Sequence, residues 1–362
     1  MARKKILICA SDPGGATYLI PVLHELVRHP DFCLEMLVYG EALSLFKEEG
    51  FHVLDVNREL EAFSSLQALF ESIAPDLLLG ATSVNEFNWE RKFVQLANML
   101  GVPSVSVIDF WSNFLMRFRL DENELVMPSK IAVIDQSMKE SIQASGVDDA
   151  ILSVVGHPAY ELIANKKGGR QESNDEGDVL RILFVSQPIA KFHLQEYGDE
   201  NHLGFNEKSV FKDLVLASGK FAAERGVAVE ISVLLHPRNS DEIQLPYMGI
   251  GVHAVQIKNA NRYCAIAEMN LVLGMYSSFL YEAHLLGANA VSYMPESRQD
   301  NLPYEEGSPV SQIRQITKLE DLFQSLQESD LELIDKQPSS FMNQFEHSTQ
   351  RLVNLCCDLT NV

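Results

Sequence analysis

The feature that most constrains this chain is a rhythm: short strand-like runs rich in Ile, Val and Leu alternate with stretches of helical period. Such alternation is the mark of βαβ units and a parallel sheet. Strands are predicted at Ile6 to Ala10, Leu34 to Tyr39, His52 to Val56, Asp76 to Gly80, Ser104 to Ile108, Lys130 to Ile134 and Leu152 to Val155. Between them lie amphipathic stretches, among them Ala16 to Val27, with Leu19, Ile20, Leu23 and Leu26 on one face, and Phe87 to Leu100. The first half therefore reads as a doubly wound domain.

The rhythm stops at residues 166–178, Lys-Lys-Gly-Gly-Arg-Gln-Glu-Ser-Asn-Asp-Glu-Gly-Asp, which hold no apolar side chain and many turn formers. We read this segment as a linker between residues 1–165 and a second domain at 179–340. The second series has strands at Arg181 to Ser186, Val229 to Leu235, Leu271 to Gly274 and Ala290 to Tyr293. A last helix is predicted over Phe341 to Leu359, with Phe345, Leu352, Leu355 and Cys356 near one face. A length of 362 residues, 46% of them hydrophobic, suits two cores rather than one.

The 29 Lys and Arg against 50 Asp and Glu give a formal charge of -21, which repels phosphodiester backbones and anionic lipid. A nucleic-acid partner is disfavoured, and any phosphate site must be a local exception built from helix N-termini and a few basic groups. Five scattered cysteines without CxxC spacing point to reduced thiols. The apolar run after Met-Ala-Arg-Lys-Lys is too short for a signal peptide. No stretch reaches the ~20 apolar residues of a membrane span, and a cytoplasmic location is the expectation.

In the first half, Ser11-Asp-Pro-Gly-Gly-Ala-Thr17 joins the first strand to its helix, where an open parallel sheet presents its ligand crevice. Gly14 and Gly15 either let backbone approach a ligand or simply close a tight turn. Asp109 ends the strand of Val102-Pro-Ser-Val-Ser-Val-Ile-Asp-Phe-Trp-Ser112, next to aromatic residues. Screened from bulk water, such a carboxylate can take a proton from a sugar hydroxyl; its structural alternative is a helix or turn cap. His157 precedes Pro158, which fits the first turn of a helix carrying Tyr160, Leu162 and Ile163. It is a second catalytic candidate, with a hydrogen-bonded structural histidine as the alternative.

In the second half, Val233-Leu-Leu-His-Pro-Arg238 ends a strand with an imidazole, a chain reversal and a guanidinium, and both His236 and Arg238 can donate to phosphate oxygens. Downstream, Leu273-Gly-Met-Tyr-Ser-Ser-Phe-Leu-Tyr-Glu-Ala-His-Leu-Leu-Gly287 reads as a strand, a short turn and a helix. Ser277 and Ser278 stand where a helix N-terminus favours an anion, and Glu282 lies at the right distance to reach a ribose hydroxyl. The alternative is an N-cap serine and a solvated glutamate.

These residues resemble a family pattern, that of the GT-B glycosyltransferases and the related nonhydrolysing UDP-N-acetylglucosamine 2-epimerases. Glu282, Ala283 and Gly287 are similar to the E-A-x-x-x-G that ends one of their segments. The pairing of His236-Pro237 with Ser277-Ser278 also resembles bacterial sialyltransferases and some capsule and teichoic-acid polymerases, where such residues hold a CMP phosphate. The third element of that pattern, an acidic pair followed by glycine, is replaced here by Asp109-Phe110-Trp111. The resemblance implies two Rossmann-like domains with a cleft between them, a nucleotide on the C-terminal domain, and an acceptor on the N-terminal one beside Gly14 and Gly15. It further implies that residues 341–362 cross back to the first domain. No DxD or ligand-spaced histidines mark a metal site, and no cofactor is expected. The expected function is a metal-independent glycosyltransferase taking a UDP- or CMP-linked sugar to an unidentified acceptor. UDP-sugar epimerisation or hydrolysis, or noncatalytic nucleotide-sugar binding, are the alternatives on the same fold.

Overall fold

The computed structural model describes residues 3–84, 88–121, 124–165, 179–236, 252–257, 266, 269–298, 311–313, 316–326 and 344–362. The predicted linker at 166–178 and Arg238 lie outside them. The chain divides into two compact units, one of Met1–Asn165 with Met342–Val362 and one of Lys166–Phe341.

The first unit is built on seven strands: β1 (Lys4–Ala10), β2 (Phe32–Val38), β3 (Leu54–Asp55), β4 (Leu77–Gly80), β5 (Ser104–Val107), β6 (Lys130–Val133) and β7 (Leu152–Val154). Their spatial order is β3-β2-β1-β4-β5-β6-β7 and every pairing is parallel. The order reverses between β1 and β4, so the carboxyl ends of those strands flank the crevice of a doubly wound sheet. β4 and β5 are buried at every residue, as strands covered on both faces must be. β1 starts two residues earlier than the apolar run suggests, because Asp76 accepts from Lys5 N at 2.8 Å and from Lys4 Nζ at 3.0 Å.

Helix Pro13–Arg28 follows β1 at once. Proline suits its first turn because the N–H it lacks would have no helical partner there. It buries Ala16, Leu19, Val22, Leu23 and Leu26, the 3.6-residue stripe that packs a helix on a sheet. The last helix occupies Ser348–Thr360, later than the sequence suggests, and packs on helices Pro13–Arg28 and Pro158–Asn165. Its start is fixed by Glu161, whose carboxylate accepts from His347 N, Thr349 N and Thr349 Oγ1 at 2.7, 2.9 and 2.7 Å. Phe345, expected inside the helix, instead lies before it, fully buried against the Tyr160 ring. Gly156 allows the close approach: its φ is +95°, and a Cβ there would collide with Ser348 Oγ.

The second unit holds β8 (Val179–Val185), β9 (Ala228–Leu234), β10 (Val252–Ile257), β11 (Leu271–Gly274), β12 (Asn289–Tyr293) and β13 (Ser311–Ile313), again all parallel, in the order β10-β9-β8-β11-β12-β13. Here the reversal lies between β8 and β11. A core of Ile182, Phe184, Phe211, Leu214, Val233 and Leu273, among others, joins the sheet to helix Glu207–Arg225. β10 and β13 were not anticipated. Both are edge strands, and the three residues of β13 carry too little apolar character to register as a run.

Candidate functional site

In the first unit the loop after β1 and the segment after β5 meet at Gly14. A Cβ on Gly14 would collide with Asp109 Oδ2, and one on Gly15 would lie 2.6 Å from Ala81 Cβ. Gly15 is thus required by its close approach to the chain leaving β4, and a side chain at Gly14 would have to displace the Asp109 carboxylate.

Asp109 is partly exposed, with 15% of its side chain accessible, and its Oδ1 accepts from Arg117 Nη1 at 2.6 Å. Arg117 comes from the turn Leu115–Phe118 and had no signal in the sequence. Its side chain is 9% accessible, and its guanidinium also donates to Thr82 Oγ1 at 3.0 Å, Thr82 O at 3.3 Å and Ser112 O at 3.1 Å. A planar fork satisfied on several sides is rigid, so one carboxylate oxygen is fixed while Oδ2 points over Gly14.

His157 is only 3% exposed. Its Nδ1 accepts from Tyr160 N at 3.3 Å, and it also bonds the Asp109 backbone. Its ring stacks on Tyr160 with centroids 3.6 Å apart and meets Tyr18 edge-on at 4.6 Å. Burial pushes its pKa down to about 3, an effect only partly offset by the Asp109 charge. It is thus a neutral, enclosed imidazole that ties the end of β7 to Asp109. Trp111 Nε1 donates to Asp135 Oδ2 at 2.7 Å, and Asp135 Oδ1 caps Met138 N at 2.8 Å.

Sequence reasoning also missed Glu90, in the first turn of helix Trp89–Leu100. It is 4% exposed, and its carboxyl accepts from the Ser11 hydroxyl, from Ser83 Oγ at 3.1 Å and from Tyr39 OH at 3.4 Å. A signal was present: Glu90 shares a helix face with buried Phe93, Val94 and Ala97, where a solvated acid does not belong. Burial raises its pKa, with the Ser11 hydrogen bond opposing.

In the second unit, Ser277 and Ser278 follow β11 and precede helix Phe279–Leu285. Ser277 Oγ accepts from Phe279 N at 3.3 Å, whereas the Ser278 side chain makes no cap hydrogen bond. Glu282 is 5% exposed, so the solvated-glutamate alternative does not hold. His236 lies half-buried two residues beyond β9, and β9 and β11 flank β8. At the end of β8, Ser186 is 1% exposed, with no hydrogen-bond partner for its Oγ among the described residues. Next to it, Gln187 Oε1 accepts from Tyr276 N at 3.1 Å and joins the loops after β8 and β11. Among the described residues, no group of three His, Cys, Asp or Glu is disposed to hold a metal ion, and no helix is long and apolar enough to cross a membrane.

By sequence the chain matches no protein-family model and no curated protein. By structure it is similar over its whole length to several solved proteins. A UDP-GlcNAc 2-epimerase from Neisseria meningitidis, solved bound to UDP-GlcNAc, is 14% identical with a TM-score of 0.66, over 98% of this chain and 100% of that one. The glycotransferase of kitacinnamycin is 14% identical with a TM-score of 0.61, over 99% and 100%. MurG from Acinetobacter baumannii is 14% identical with a TM-score of 0.57, over 98% and 99%. The chain has the GT-B type of fold, two Rossmann-like α/β domains with parallel sheets.

Proposed function

We propose that this chain is a nucleotide-sugar-dependent glycosyltransferase that works without a metal ion. The observation that carries the reading is Asp109. It stands at the carboxyl end of a buried strand with one oxygen held by Arg117 and the other over the glycine loop, on a fold shared along its length with proteins that act on UDP-sugars. In this reading an acceptor hydroxyl docks beside Gly14 and Gly15 and gives its proton to Asp109 Oδ2. The oxygen then attacks the anomeric carbon, and the bond to the nucleotide phosphate breaks. Arg117 acts by positioning, because a base must lie within hydrogen-bond reach of the proton it takes.

We assign the departing phosphate to the His236, Arg238, Ser277 and Ser278 groups and the ribose to Glu282. Hydroxyls and cationic side chains aimed at that phosphate would stabilise the charge that develops as the bond breaks. The buried, neutral His157 suits holding the Asp109 backbone, so of the two readings the sequence left open we give it a positioning role rather than a catalytic one. The partners in this reading are a UDP- or CMP-linked sugar and a hydroxyl-bearing acceptor, and synthesis of a cell-surface polysaccharide is the setting it fits.

A second reading, UDP-sugar epimerisation, is favoured by the likeness to epimerases from Neisseria meningitidis and other sources. One experiment separates the two. The protein is incubated with UDP-, CMP- and GDP-sugars, with and without a panel of sugar acceptors, while nucleotide release and the configuration of the sugar are followed. Acceptor-dependent release supports transfer, and a change of configuration without release supports epimerisation.

A further inference from the structure

Gly14 can serve the site only if the loop Ser11–Gly15 is held in place. Within the chain leaving β1, the carbonyl of Asp12, at the N-cap of the following helix, accepts from Ala16 N at 3.0 Å. Further support comes from outside the loop. On the β2 side, Ser11 O accepts from Ala42 N at 3.0 Å. On the β4 side, the Ser11 hydroxyl donates to Glu90, and the same carboxyl gathers Ser83 from the loop after β4 and Tyr39 from the end of β2. Three donors from three segments that border the crevice thus converge on one buried acid. The next residue, Arg91, donates to Met116 O at 3.3 Å and Arg119 O at 2.7 Å, gripping the turn that carries Arg117. Adjacent residues of one helix turn therefore fix both walls of the Asp109 site: Glu90 the glycine loop, Arg91 the arginine turn.

We propose that Glu90 is a positioning residue that pins the first loop, keeping Gly14 beneath the carboxylate of Asp109. The proposal rests on the transferase reading for its meaning in turnover, but the pin itself is a property of the folded chain.

The pin has two protonation states. As a carboxylate, Glu90 accepts from all three hydroxyls; as a neutral acid it donates one hydrogen bond, and one hydroxyl must turn round to accept it. The charged groups about it are Asp12 on the loop, which opposes ionisation, and Arg91 on its own helix. Cys9 and Tyr39, on β1 and after β2, are the other titratable neighbours. Desolvation favours the neutral form, so the exchange between the two arrangements falls above the ordinary carboxylate range. Glutamine reproduces the neutral arrangement at every pH, whereas alanine leaves three buried hydroxyls without their common partner.

The test is hydrogen–deuterium exchange of the backbone amides of residues 11–17 in wild type, Glu90→Gln and Glu90→Ala, across the acidic and neutral range. It needs no substrate. We expect exchange about tenfold faster at these amides in Glu90→Ala, near-normal protection in Glu90→Gln, and a pH-dependent step in wild type that Glu90→Gln lacks. With a working sugar pair, Glu90→Ala should lower kcat about tenfold or more, as misplacement of a reacting group does, with donor KM little changed and glutamine restoring most of the loss. Unchanged exchange in Glu90→Ala, or identical pH dependence in wild type and Glu90→Gln, overturns the proposal. Should Glu90→Ala not fold, the comparison of wild type with Glu90→Gln decides alone. If wild type releases nucleotide from no sugar, the transferase reading fails and the exchange result still stands or falls by itself.

Discussion

In the proposed mechanism the chemistry turns on Asp109, whose Oδ1 is held by Arg117. Asp109→Asn keeps the side-chain shape and leaves donor affinity nearly unchanged, but it should lower turnover by roughly 10²–10⁴, the usual worth of a general base. Pre-steady-state measurement of donor binding beside turnover checks this, and near-normal turnover would remove Asp109 from the role. His157 makes a separate prediction through stability. Its pKa falls from 6.5 in the open chain to about 3 in the fold, so the unfolded state takes up the proton first as pH drops. That stabilisation is complete above about pH 6.5 and is lost as pH falls toward 3, with an upper limit of roughly 5 kcal/mol at about 1.36 kcal/mol per unit. Glu90 runs the other way. Its raised pKa favours the fold below the ordinary glutamate range, and the contribution is lost as pH rises through the raised value. Urea midpoints measured at pH 7.5 and 5.0 should therefore show a smaller loss on acidification in His157→Gln than in wild type. An equal loss in both would contradict the buried neutral imidazole.

At the scale of elements, the C-terminal helix is the piece whose attachment is most open to test. Glu161 supplies three hydrogen bonds to its first turn, and Gly156 leaves the space that Ser348 fills. Glu161→Ala should cost about 1–3 kcal/mol, the worth of charged hydrogen bonds and a lost cap. Gly156→Ala should cost at least as much, since it adds a collision to an unfavourable φ. Both tryptophans, Trp89 and Trp111, belong to the first unit. Their fluorescence therefore follows the unfolding of that unit, and an unchanged transition in both variants would refute the anchoring. The strands the sequence revealed are those dense in Ile, Leu and Val, such as β1, β4 and β8; burial on both faces demands such runs, so burial is what made them legible. The short edge strand β13 left no such trace. Nor could periodicity place the start of the last helix, which is set by a carboxylate nearly two hundred residues away in the chain.

For the molecule as a whole, the alternation of strand and helix carried the fold class, because parallel sheets covered on both faces admit few other patterns. The candidate site was legible only in part. Asp109, Gly14 and Gly15 stand at strand ends where a doubly wound sheet presents its crevice, which is why position alone picked them out. Arg117 reaches Asp109 from a nearby turn without periodicity, and Glu90, on the apolar face of its helix, joins Ser11 and Tyr39 from segments distant in sequence. Their charges were visible in the sequence, but their partners were not. In the proposed reaction a sugar passes from a nucleotide to a hydroxyl with Asp109 as base. The most direct measurement is the rate of nucleotide release from UDP- and CMP-sugars as a function of acceptor concentration, in wild type and Asp109→Asn. Release should rise to saturation with one acceptor class in wild type and fall by roughly 10²–10⁴ in the variant. Release that ignores the acceptor, or that survives intact in Asp109→Asn, would contradict the proposed reaction.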